Sequence, residues 1–153
     1  MKKTILLLLV AVVSLVSCGP KLNNAAQSDL KGSWTVTSVT YKNSNVIDIT
    51  SFGVAEAKCF EGSVWNFIPN NNKGTLTLNN AECSYFESPI VWTITDAGAF
   101  TLKFVGEEAK AKNVTQGFNL TVGNQTETSF QLIDYVNVAG SSTKVVYQFQ
   151  KIS

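Results

Sequence analysis

The residues of this chain able to do chemistry are three cysteines, eleven carboxylates and twelve lysines; its 153 residues include no histidine and no arginine. Without an imidazole there is no Ser-His-Asp triad, no Cys-His pair and no His-ligated zinc or iron site, because each needs a ring nitrogen to carry a proton or bind a metal. Carboxylate chemistry remains. Cleaving a glycosidic bond takes two carboxylates facing each other about 5–10 Å apart across a sugar-sized cleft. Glu107 and Glu108 are neighbours in "GEEAKAKN", so on a strand they would point to opposite faces, and they read as a solvated charged turn. Glu56, Glu61, Glu82 and Glu87 cluster around Cys59 and Cys83. They would converge if those cysteines joined, and they serve equally well as a solubilising surface. No short loop carries the alternating carboxylates of a calcium site. Neither metal nor cofactor is expected, and the chain reads as non-catalytic. The Asn-x-Thr triplets at Asn113, Asn119 and Asn124 read as polar strand positions.

Cys18 follows a leader of recognisable layout: Lys2 and Lys3, then an apolar core from Ile5 to Val16. That is the pattern of a signal peptide, and its core is well short of the roughly 20 residues that span a bilayer. The stretch Leu15-Val16-Ser17-Cys18 resembles the bacterial lipobox. The resemblance implies that residues 1–17 are removed and that Cys18 carries a diacylglycerol on sulfur and a palmitate-type chain on its new amino group. Three acyl chains exceed the two signals that stable membrane anchoring needs. Losing Lys2 and Lys3 with the leader leaves ten lysines against eleven carboxylates, a formal charge of −1. Such a balance, without an arginine, lacks the basic footprint of a nucleic-acid binder. With Cys18 assigned to lipid, Cys59 and Cys83 remain as an even pair, which an oxidising compartment joins. Closing that loop constrains the unfolded chain by about 3.5 kcal/mol on the entropy model.

The elements that must position these residues have the strand period. Residues 18–29 ("CGPKLNNAAQSD") are small, polar and aperiodic, as expected of a lipidated flexible tether, with order beginning near Leu30. From there apolar residues recur at every second position: Trp34 and Val36; Trp65 and Phe67; Leu76 and Leu78; Ile90, Trp92 and Ile94. The pattern continues with Phe100, Leu102 and Phe104; Phe118, Leu120 and Val122; Phe130 and Leu132; and Val145, Tyr147 and Phe149. Period two over short runs predicts eight strands. Turn-forming clusters at 70–74, 96–98, 123–124 and 139–142 predict antiparallel hairpins between them. Residues 51–60 could hold a turn or two of helix. One all-β domain over 30–153 follows, either an eight-stranded up-and-down barrel, which removes sheet edges, or a two-sheet sandwich.

Gly32-Ser33-Trp34, inside "LKGSWTVTSVTY", resembles the Gly-x-Trp that opens the first strand of lipocalins. The wider layout is similar to that of lipocalin-like lipoproteins of Bacteroidetes: lipobox, short linker, "LKGSW", then "KCFEGSVWNFIPNNNKG" and a final strand "VVYQFQKI". This resemblance implies an eight-stranded barrel attached to the outer membrane, with an interior able to hold one small apolar molecule. Gly32 would allow a close approach at the closed end and Trp34 would plug it. In lipocalins proper an arginine near the final strand packs across that Trp; this chain has none, and Lys151 could take its place poorly, lacking the planar guanidinium. In surface lipoproteins of that lineage acidic residues follow the lipidated cysteine, whereas here none occurs before Asp29, which favours the periplasmic side. Two roles are expected from different residues. One is a binding module for a small hydrophobic molecule, walled by Trp65, Phe67, Trp92, Phe104 and Phe118. The other is an accessory lipoprotein that contacts an envelope protein or glycan through the loop aromatics Phe52, Phe60, Tyr85 and Phe86. Buried loop aromatics would cap the barrel; exposed ones would form a contact patch.

Overall fold

A computed structural model describes residues 20–43, 47–106 and 114–153; the leader, Cys18, Glu107, Glu108 and Asn113 lie outside the described residues. Among the described residues there are ten strands: β1 (Gly32–Thr40), β2 (Thr50–Ser51), β3 (Ala55–Glu56), β4 (Val64–Ile68), β5 (Lys73–Leu78), β6 (Phe86–Ile94), β7 (Ala99–Phe104), β8 (Phe118–Gly123), β9 (Ser129–Val138) and β10 (Ser141–Lys151). Eight of them close into an antiparallel barrel in the cyclic order β1-β10-β9-β8-β7-β6-β5-β4. These eight contain the eight segments read from periodicity. The sandwich alternative is overturned by the β1–β4 ladder, which runs from Gly32 opposite Phe67 to Thr35 opposite Val64. A sandwich would leave those strands as edges; here their backbone groups bond each other. The helical turn expected within 51–60 is the short 3-10 segment Ala57–Phe60, while β2 and β3 form a small hairpin paired only with itself.

Alternation places the apolar set inside. Trp34, Val36, Trp65, Phe67, Leu76, Leu78, Ile90, Trp92, Phe100, Leu102, Phe130, Leu132, Val145, Tyr147 and Phe149 are all buried in one core. Their outward neighbours, such as Thr35, Asn66, Thr75 and Gln150, are polar. This division is what a two-residue side-chain period produces on a closed sheet.

One end of the barrel is closed. Residues 20–29, expected as tether, are instead docked there, and order begins well before Leu30. Leu22 bridges to Thr95, and the Asn23 N–H donates to the Ile94 carbonyl at 2.8 Å. A helix, α1 (Asn24–Asp29), then starts with the Asn23 side chain accepting from the Ala26 N–H at 3.0 Å, a standard N-cap. Gln27 is buried; its Oε1 accepts from the Ile94 N–H at 2.9 Å and from Asn72 Nδ2 at 3.1 Å. A buried amide must find such partners, so the helix is fixed to the barrel's base. Leu30 and Trp34 complete the plug, with Trp34 Nε1 donating to the Leu30 carbonyl at 2.8 Å and its ring meeting Phe130 edge-on at 4.8 Å. Lys151 Nζ sits 5.4 Å from the Trp34 ring centroid, within cation–π range. Gly32, at φ +113°, has no room for a side chain: a Cβ there would lie 2.3 Å from the Ser153 carbonyl oxygen.

Candidate functional site

The interior divides into a filled lower part and a different upper part. Phe67 touches Trp65, Trp92, Phe100 and Phe130 with ring centroids between 5.0 and 6.2 Å. Trp92 stacks on Phe100, and Phe130 stacks on Phe149 at 4.4 Å. Of the five expected wall residues, Trp65, Phe67 and Trp92 therefore face inward but spend their faces on one another and on these neighbours. Their indole N–H groups are satisfied as well, Trp65 by Ser63 Oγ and Trp92 by the Lys73 carbonyl. The remaining two, Phe104 and Phe118, lie at the opposite end, the barrel mouth, and are only partly buried.

A loop residue fills that mouth. Phe52 packs against Phe60, Phe104, Phe118 and Tyr147, with centroids at 5.2, 6.1, 5.3 and 5.4 Å. It sits at the tip of the β2–β3 hairpin, where Val54 N–H donates to the Ser51 carbonyl at 3.0 Å. Phe52 and Gly53 both have positive φ, +55° and +64°, the signature of a type I′ turn, whose first central position favours Asn, Asp or Gly. A bulky side chain there is strained; such strain persists only where surrounding contacts hold it, and it clusters at functional sites. Here the contacts are the four rings. Beside them Ser51 Oγ and Tyr147 Oη form a buried hydroxyl pair, and burial pushes the Tyr147 hydroxyl pKa well above its ordinary value.

The mouth also holds a carboxylate. Asp134 lies opposite Val145 in the β9–β10 ladder, on the inward face with Phe130 and Leu132. The β8–β9 ladder runs from Gly123 opposite Gln131 to Thr121 opposite Ile133, and Asp134 comes next along β9. Its Oδ1 accepts from the Tyr135 N–H at 2.8 Å. Desolvation raises its pKa, partly countered by that hydrogen bond.

The disulfide Cys59–Cys83 is formed and joins the 3-10 turn to the β5–β6 connection above the mouth. It does not gather the surrounding carboxylates. Glu61 Oε1 instead accepts from Lys58 Nζ at 2.9 Å and from the Val39 N–H at 2.8 Å, beside a β1 bulge. Glu87 accepts from the Tyr85 hydroxyl. Among the described residues no three acidic or cysteine side chains gather to hold a metal. The loop aromatics separate: Phe52 and Phe60 are buried, Phe86 packs edge-on against Phe104 at 5.8 Å, and only Tyr85 stands in solvent, at 66% exposure. They cap the mouth and do not form a patch. Of the two roles open to the loop aromatics, capping holds for Phe52 and Phe60, whereas the sequence reading passed over Ser51 and Asp134. The signal for Asp134 was present, since "SFQLIDY" puts it two positions beyond Leu132 on the apolar face.

No family model and no curated protein matches the chain. Solved structures resemble it in fold. A lipocalin-like protein from Bacteroides uniformis is 14% identical with a TM-score of 0.49, over 81% of this chain and 99% of that one. An uncharacterized protein from Bacteroides eggerthii is 15% identical with a TM-score of 0.48, over 80% and 98%. Bovine odorant-binding protein, solved with a selenium-containing odorant, is 13% identical with a TM-score of 0.47, over 83% and 73%. By its own strand order, its closed end built on Gly32 and Trp34 and its plugged mouth, the chain folds as a lipocalin-like barrel.

Proposed function

We propose that this protein is a non-catalytic binding module for a small hydrophobic molecule, lipid-anchored through Cys18 to the outer membrane on its periplasmic side. The ligand enters at the mouth, not at the packed layer of Trp65, Phe67 and Trp92. One observation carries this reading: Phe52 is held in a strained turn with its ring inside a ring-lined mouth, on a hairpin outside the barrel's ladder. A side chain so placed is a removable plug, and the space it occupies suits an apolar guest. The accessory role through loop aromatics is less supported, since only one of the four is exposed.

Every described element lies beyond residue 19, so the chain from residue 19, exported to a periplasm and kept from detergent, is the unit to measure. Native mass spectrometry should find an extra mass released on unfolding, and Phe52→Asn should retain more of it. A bare mass in both proteins, with no uptake of an apolar fluorescent probe, would overturn the reading. Full-length protein should incorporate labelled palmitate and lose it with Cys18→Ala. Protease added to intact cells should leave it uncut.

A further inference from the structure

We propose that the molecule taken at the mouth carries a positive charge: a small amphiphilic amine whose ammonium group is met by Asp134 and the rings of Phe118 and Tyr147. This rests on the mouth being a binding site at all. Three observations point to the cation. Asp134 is on the inward face of β9, opposite Val145 and one step along from the Tyr147–Leu132 pair, which places its carboxylate within about 7–8 Å of the Tyr147 side chain by strand geometry. It is half-buried, yet no lysine pairs with it among the described residues, and Oδ2 takes no hydrogen bond there. The nearby hydroxyl is engaged elsewhere, Tyr147 with Ser51, and the Tyr41 hydroxyl that faces Tyr147 donates to the Ile47 carbonyl at 3.0 Å.

A carboxylate so placed is unfavourable in a purely apolar pocket. Its raised pKa is the same fact seen from the proton: desolvation opposes the charge, the Tyr135 N–H counters it only in part, and no cation among the described residues pairs with it. An ammonium group in the space now filled by the Phe52 ring would offset it. That group would also face the negative π-surfaces of aromatic rings, the arrangement that recognises alkylammonium ions. A neutral guest would leave the carboxylate as it is.

The test uses two isosteric probes, benzyltrimethylammonium and uncharged neopentylbenzene, titrated by calorimetry at neutral pH into the chain from residue 19 and its Phe52→Asn form. Asp134→Asn removes the charge while its amide oxygen still accepts from the Tyr135 N–H, so the strand contact survives. The expected result is an ammonium affinity that falls about tenfold or more with Asp134→Asn, while the neutral affinity stays within about twofold. A change that is equal for both probes, or absent for both, overturns the amine assignment and leaves the mouth as a neutral apolar site. If neither probe binds to wild type or to Phe52→Asn, the binding reading falls as well.

Discussion

The two ends of the barrel are built from similar residues to opposite effect. At the closed end each demanding group is satisfied within the chain: Trp34 Nε1 by Leu30, Gln27 by Ile94 and Asn72, and Gly32 by having no side chain. At the mouth the chain keeps a strained Phe52 and a half-buried carboxylate that no lysine among the described residues pairs with. A domain optimised for stability alone would have placed Asn at position 52 and an apolar residue at 134. The contrast assigns stability to the closed end and supports the proposed entry of a ligand at the mouth.

Substitutions should separate the two ends. Trp34→Ala empties the plug and should cost about 3–5 kcal/mol, enough to lower the urea midpoint drastically; a cost below 1 kcal/mol would mean that the closed end does not hold the fold. Replacing Cys59 and Cys83 together with alanine should cost about 2–4 kcal/mol, and more probe should then enter a loosened mouth. Gly32→Ala forces a Cβ against the Ser153 carbonyl at a positive φ and should cost about 1–3 kcal/mol. Phe52→Asn loses a buried ring but relaxes the type I′ turn, so its cost should fall below the roughly 3–5 kcal/mol of a core Phe truncation, with probe affinity rising. If Phe52→Asn proved as damaging as Trp34→Ala, with no gain in binding, the distinction between the ends would fail.

The smallest effects are those of pH, and the two carboxylates should differ in sign. At Glu61 burial opposes the charge, but hydrogen bonds from Val39 and Lys58 outweigh it and lower the pKa. Its contribution is present above the unfolded value, about 4.3, and is lost as pH falls through the lower folded value. Asp134 is raised instead, so stability falls as pH rises from the unfolded value, about 3.9, through the folded one. Urea midpoints between about pH 3 and 7 should therefore lose a small acid sensitivity in Glu61→Gln. In Asp134→Asn they should lose the small decline on the way up.

Much of the fold was legible because strand alternation is local. "AFTLKFV" and "SFQLIDY" declare their inward faces without reference to any partner. The disulfide was legible by parity. Much of the site was not. Trp65, Phe67 and Trp92 were legible as inward-facing, but that they fill one another's space depends on strands meeting across the barrel. Phe52 reads as a loop residue because nothing in "SFGV" says that the hairpin folds into the mouth. Residues 24–29 lack helical periodicity and owe their place to tertiary contacts.

By itself the sequence determined the strand segments, their two faces, the pairing of Cys59 with Cys83 and the lack of imidazole chemistry, since these depend on residue type and near-neighbour spacing. Tertiary structure alone decided that β1 closes on β4, that Gln27 is held by residues 45 and 67 positions away, and that a strained phenyl ring and an inward carboxylate share the mouth. Those outcomes depend on contacts between distant segments, whose geometry exists only once the sheet has twisted and closed.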